Sequence, residues 1–513
     1  MYDTTSQNVQ NSFMIDTFGT TVINPSQKST ARQTVYNDWV WRFWFFALVG
    51  VSLAIGLYMY RSGPSISIIA GIIYLLGVGI ILLNPRYGLY LVLFLTLVGD
   101  FRLLPWYPFT KNFSSPESLL FIHDAIIVSP LETYLILIFV SWAGRRIIQR
   151  KLLFHKGILF WPTVTFTVFI TFGLIWGLLK GGNFNIALWE SRAIFYMPLV
   201  LLLTTNLLKT SRHINAIIWF ATIALFVESL FGNYHYFFNL NRNLSSVDRI
   251  AGHSAAIHLN TYFIFLLSVW VFRASHIKRL TLPIMLPFFL ITFIVMQRRA
   301  GFITLALAIV LLIIILFQEN RRLFYAITPI LVIGMAVYLG IYWNRSGALG
   351  LPAQAVKSIF FTDQANAKDQ ASNYYRILEN TNIRFTIHQS PLTGIGFGNK
   401  FYRIVKMPDI SHFVFHEYIT HNSIVWIWMK SGFGGFFSMI FLVGLSIITG
   451  LRSLHRQFDP NMKAIMLTAT LYIVMHFVYG YVDMSWDIES MVYIGVMMGL
   501  INMHEYITET NLG

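Results

Sequence analysis

Apolar runs of about 20 residues recur along almost the whole of this chain, each the length an α-helix needs to cross the hydrocarbon core of a bilayer. Lipid offers no partner for backbone N–H and C=O groups, so only helices and closed β-barrels span it. The alternating polar and apolar residues of a barrel strand are absent. The expected fold class is therefore an all-α polytopic membrane protein. Composition agrees, since only 12% of the 513 residues are charged and 56% are hydrophobic. A soluble domain carries roughly 25% charged residues, which excludes an ordinary cytoplasmic enzyme. There is no cysteine, so disulfides, thiolate catalysis and cysteine-based metal sites are excluded as well.

The runs fall near 39–59, 66–83, 87–99, 130–143, 158–179, 186–207, 214–232, 255–272, 281–297, 300–317, 323–343, 423–449, 464–482 and 488–503. This gives about fourteen transmembrane helices, within a range of 12–14. It divides the chain into a polar, disordered cytoplasmic tail (1–38), a transmembrane bundle (39–343), a large extracytoplasmic loop (344–421) and C-terminal transmembrane helices (422–513). The loop lies between the eleventh and twelfth spans. No cleavable signal is evident, because the first run is too long and lacks a small-residue cleavage site. A net charge of +15 suggests nucleic acid at first sight. Its distribution argues otherwise, because basic residues crowd alternate short loops, as in the run Arg145, Arg146, Arg150, Lys151 and Lys156. The positive-inside rule accounts for that pattern with both termini in the cytoplasm. No nucleic-acid partner is expected.

Some charges escape this rule. Arg192 lies about 9 Å inside its span, an expensive position that marks a functional interior, unless the side chain snorkels or pairs with a carboxylate. Glu190 is two residues away, on the opposite helical face, and is a poor partner. Arg249 precedes an outer helix, Arg298 and Arg299 interrupt two apolar runs, Arg376 and Arg384 lie in the large loop, and His421-Asn422 opens the next span. All fall on one side of the membrane. Guanidinium groups grip phosphate bidentately, and several around one concavity suit a diphosphate. Gly394, Gly396 and Gly398 form a turn-rich stretch after Pro391, in which backbone N–H groups have room to approach a ligand. His412, His416 and His421 lack zincin spacing, and no metal is expected. Lys430 falls about 180° round the helix from His421. Asp483, Asp487 and Glu489 read by default as a solvated face.

Four ordered blocks resemble the O-antigen ligase/O-antigen polymerase superfamily of bacterial membrane glycosyltransferases. They are Asp248-Arg249-Ile250-Ala251-Gly252, then Arg299-Ala300-Gly301-Phe302, then Arg376 with Pro391 to Gly398, and finally His421-Asn422 with Gly432 and Gly435. The resemblance covers about 186–449. This chain departs from the family pattern at Leu259-Asn260, where Asn-Pro-Asn is common, at Arg298, where Ser is common, and at Lys430, where an acidic residue is common. The resemblance implies a GT-C-like bundle in the bacterial cytoplasmic (inner) membrane with its active site at the outer leaflet. It implies an inverting, metal-independent glycosyltransferase that needs no cofactor. The donor would be an undecaprenyl-diphosphate-linked glycan and the acceptor a glycan or lipid-glycan, with membrane lipids around both. His421, Arg249 and Arg299 would be catalytic; Arg192, Arg298, Arg376, Gly394, Gly396, Gly398 and Asn422 would bind substrate. His421 is expected to have a depressed pKa, being at a helix N-terminus among arginines. Polysaccharide polymerase and lipid A-core ligase both fit, and a lipid-linked-oligosaccharide flippase is the alternative from another class.

Overall fold

The computed structural model describes residues 66–99, 109–116, 118–150, 153–243, 250–252, 254–345, 347–410 and 414–510, with scattered positions between 45 and 63. The chain divides into two units, 1–69 and 70–513. The expected tail and most of the expected first span lie outside the described residues.

Every other expected span coincides with a helix. They are α1 (Ile66–Leu83), α2 (Pro85–Val98), α3 (Pro130–Ile148), α4 (Phe160–Leu179), α5 (Phe184–Leu207), α6 (Ser211–Tyr234), α7 (Ala255–Val271), α8 (His276–Val295), α9 (Arg299–Glu319) and α10 (Arg321–Tyr342). The large loop carries α11 (Leu351–Phe360) and the long α12 (Ala367–Gln389), and three more helices follow, α13 (Ser423–Arg456), α14 (Pro460–Val482) and α15 (Ile488–Thr510). No strand occurs among the described residues. Among the described residues, eight helices are long and apolar enough to cross a membrane, and the protein is a multi-pass helical membrane protein.

Polar residues mark where the chain turns. Ser129 and Glu132 form a capping box at the start of α3, with Pro130 in its first turn. Asn183, Thr210 and Asn422 cap α5, α6 and α13. The core is built by α14, which packs against α7 and α13, and by α15, which lies along α5. None of the residues of α10 is buried within the chain, as suits an apolar helix that meets lipid.

One helix is broken in a way that matters for the site. Gly432 in α13 has φ 72° and ψ −173°, outside helical space. A break frees backbone carbonyls, which must find other donors. Here the carbonyls of Met429 and Lys430 accept the N–H groups of Ile395 (2.8 Å) and Gly396 (3.1 Å), and Phe433 N–H returns to Pro391 O (3.0 Å). The loop after α12 is thereby stitched into the kink, which holds α12 against the N-terminal end of α13.

Candidate functional site

His421 occupies the position before the Asn422 cap of α13, and its partner comes from α12. Glu379, 2% exposed, accepts the backbone N–H of His421 at 3.0 Å and lies 3.2 Å from Nδ1 with each carboxylate oxygen. A carboxylate only accepts, so Nδ1 carries the hydrogen and Nε2 is left as the basic nitrogen of the neutral ring. The imidazole is 41% exposed and meets the Tyr375 ring edge-on at 5.6 Å. Burial alone would lower its pKa; the hydrogen bond and charge of Glu379, aided by Asp483, outweigh that and the opposing charge of Arg376. The net direction is upward. The expected depression is corrected on this ground, because a carboxylate in contact outweighs a helix terminus and more distant arginines.

Arg376 lies on the same helix as Glu379. Asp369, Arg376, Ile383 and Ile387 recur at helical spacing along one stripe of α12, with Glu379 at its edge. Ile383 and Ile387 are buried, so this stripe faces the bundle. The guanidinium Nε of Arg376 is buried without a hydrogen-bond partner among the described residues, and its charge is felt at both His421 and Arg299. Arg299 opens α9 and pairs through Nε with Asp369 Oδ1 at 3.2 Å. Arg298 stands just before α9, and its charge reaches Tyr479 together with those of Asp483 and Asp487. Asn260, the remnant of the missing Asn-Pro-Asn, donates to Gly301 O at 2.9 Å and Thr304 Oγ1 at 3.1 Å. It pins the first turn of α9 beneath these arginines. The structure thus gathers Arg298, Arg299, Arg376 and His421 from three separate segments.

Other expected site residues are placed differently. Arg249 lies outside the described residues, as do Asp248 and His412. Arg192 is not held open for substrate. Its Nη2 meets Glu132 at 2.7 Å, its Nη1 donates to Asn112 at 2.9 Å, and its Nε donates to the Tyr196 hydroxyl at 3.1 Å. All three nitrogens are engaged, and the ion pair with Glu132 joins α5 to α3. The structural alternative weighed from the sequence is the one observed.

The glycine triplet is corrected too. Gly394, Gly396 and Gly398 have φ of 69°, 82° and 81°, so the left-handed backbone accounts for their identity. However, all three are buried, and their N–H groups go to Ser390 O, Lys430 O and Glu190 Oε2. They fasten the loop to α4, α5 and α13 and do not face a ligand. Asn422 spends its side-chain oxygen on the cap, accepting from Val425 N–H at 3.1 Å. It is 4% exposed, so its side chain serves the start of α13 next to His421 and offers little surface to a substrate. Lys430 and Glu190 form a fully buried pair at 2.8 Å. Asp483 is not a solvated residue, since it is 7% exposed and its charge acts on His421.

The fold and the site together define a class: a multi-pass helical membrane protein with a cationic, histidine-bearing centre where α9, α12 and α13 meet. Residues 284–440, which carry nearly all of that centre, match the family model described as O-antigen ligase. The chain is also 23% identical over 265 residues to an O-antigen ligase of Salmonella typhimurium, covering 48% of this chain and 58% of that protein. Both findings agree with the likeness to the O-antigen ligase/polymerase superfamily seen in the four sequence blocks, three of which fall within 284–440. The chain spans less than two thirds of the length of the relative it matches.

Proposed function

We propose that this protein is a glycosyltransferase of the O-antigen ligase/polymerase kind, acting at the outer face of the bacterial cytoplasmic membrane, with both termini in the cytoplasm. It transfers an oligosaccharide from undecaprenyl diphosphate to a hydroxyl of a glycan or lipid-glycan acceptor. The observation that carries this is the neighbourhood of Arg376: a half-buried side chain whose Nε is buried without a partner among the described residues, and whose charge is felt both at Arg299 and at the Glu379-held His421.

The chemistry follows from those groups. Nε2 of His421 takes the proton of the acceptor hydroxyl as its oxygen attacks the anomeric carbon of the donor. The bond from that carbon to the diphosphate oxygen breaks, and the electron pair leaves with the lipid diphosphate. Arg298, Arg299 and Arg376 neutralise the charge that develops there, which a preorganised low-dielectric site does better than water. Arg249 belongs to the same proposal by its place in the first sequence block. Attack from the face opposite the diphosphate inverts the anomeric centre, and neither a metal nor a nucleotide sugar takes part. The proton then leaves His421 for solvent or product, and Glu379 keeps the ring in one tautomer throughout.

The test is the affinity for sugar-free undecaprenyl diphosphate in nanodiscs. Arg376→Ala should weaken it by roughly tenfold or more, since charge-assisted bonds to phosphate are each worth ~1.5–3 kcal/mol. Arg376→Lys should recover little of it, lacking the fork. Arg384→Ala, on the exposed face of the same helix, should leave it unchanged. Equal loss in the Arg376 and Arg384 variants would reduce the effect to general surface charge and remove the proposed cradle.

A further inference from the structure

A cavity of about 560 Å³ opens beside the segment that carries His421, within the ~300–1,000 Å³ range of pockets that take a small organic ligand. Thr420 and Ser423, on either side of His421-Asn422, form part of its wall, with Trp189, Trp486, Asn112, Asp487 and Glu489. Both indoles are held in place. Trp189 stacks on Phe415 with centroids 3.9 Å apart, and Trp486 donates Nε1–H to Ser423 O at 2.8 Å. Trp189 nevertheless stays 40% exposed, which leaves its indole on the cavity wall open to something bound there.

The charge of the wall decides what that something is. The basic Arg192 in it is already paired with Glu132, and the acidic Glu190 with Lys430. Asp487 and Glu489 add two carboxylates to the lining and Lys111 one ammonium. A diphosphate gains little here, whereas the guanidinium cluster across the 419–423 segment suits it. Flat indoles with carboxylate and amide acceptors suit the opposite kind of ligand: a ring with weakly polar C–H faces and several hydroxyl donors at its rim.

We propose that this cavity is the acceptor subsite, taking a phosphate-free sugar unit of the glycan whose hydroxyl is presented to His421. This rests on the function proposed above and adds to it a division of labour, with donor diphosphate on the α9–α12 side of His421 and acceptor sugar on the α5–α15 side. Asp487 has a second role there: it accepts from Ser254 Oγ and from the Ser490 N–H, which fixes its carboxylate for a sugar hydroxyl.

Two probes separate this from the underlying function. Purified full-length protein in nanodiscs is titrated with short phosphate-free oligosaccharides cut from the surface polysaccharide of the source cell, and separately with undecaprenyl diphosphate. Wild type should bind both. Trp189→Ala should weaken the oligosaccharide by roughly tenfold or more, the usual cost of truncating a central aromatic anchor, and leave undecaprenyl diphosphate unchanged. Trp189→Phe should keep most of the oligosaccharide affinity. Asp487→Asn, which keeps the shape, should also weaken only the oligosaccharide. Unchanged oligosaccharide affinity in both Trp189→Ala and Asp487→Asn overturns the subsite, as does a loss of undecaprenyl diphosphate in its place. Wild type that binds undecaprenyl diphosphate but no oligosaccharide also overturns the subsite and leaves the diphosphate cradle standing. Wild type that binds neither probe overturns the glycosyltransferase proposal itself.

Discussion

Glu379 reaches the imidazole of His421 with both carboxylate oxygens, and the consequence is a pH dependence with a definite sign. A neighbouring carboxylate favours the protonated ring, so the His421 pKa lies above its ordinary value. As a base, His421 works only when neutral, so transfer should rise with pH through that elevated pKa. Glu379→Gln removes the charge and keeps the shape. The rising limb should then move to lower pH, while the maximal rate falls by at least about tenfold, because the ring loses its fixed tautomer. A pH–rate profile of both proteins checks this; an unmoved limb would separate Glu379 from the titration. His421 was legible in the sequence because it stands where a polar loop meets an apolar run. Glu379 was not, since 42 positions separate the two and no local pattern announces a long-range pair. Arg192 failed in the same way: its partners Glu132 and Asn112 lie 60 and 80 positions upstream, and an intramembrane arginine looks identical in sequence whether it awaits a ligand or closes a joint.

At the scale of elements, the break in α13 positions the site. An added Cβ at Gly432 would lie 2.0 Å from Leu392 O, on a backbone with φ 72°. Gly432→Ala must therefore strain the chain, by ~1–3 kcal/mol for the backbone alone, and push the 390–398 loop out of the kink. Because that loop anchors the C-terminal end of α12, the variant should melt at lower temperature and lose transfer, with new proteolytic cleavage near 390–398. Gly444→Ala lies in the same helix with nothing within 4 Å of the added carbon; it should be neutral or slightly stabilising. A Gly432→Ala protein as stable and active as Gly444→Ala would show that the kink is incidental. The glycines of 394–398 were visible in sequence as turn formers, and Gly432 only as a member of the fourth sequence block. Their partners were not, because loop-to-helix stitching depends on which carbonyls a kink sets free, and only the folded chain decides that.

For the whole molecule, hydrophobic run length located the helices, since the bilayer constrains every span alike. Convergence was harder to foresee. Arg298 and Arg299, Arg376 and His421 come from three segments, and the sequence said only that they share one side. The central claim is that this convergence breaks a bond between a glycan and a lipid diphosphate. The most direct measurement follows undecaprenyl-diphosphate-linked oligosaccharide in proteoliposomes that also hold acceptor, scoring sugar-free undecaprenyl diphosphate and glycosylated acceptor together. Wild type should release the two in equal amounts. His421→Ala should be slower by roughly 10²–10⁴-fold, the range for loss of a general base, and His421→Gln should be no better. Lipid-linked oligosaccharide that crosses the bilayer intact, with no sugar-free carrier formed, or equal release by wild type and His421→Ala, would contradict the account.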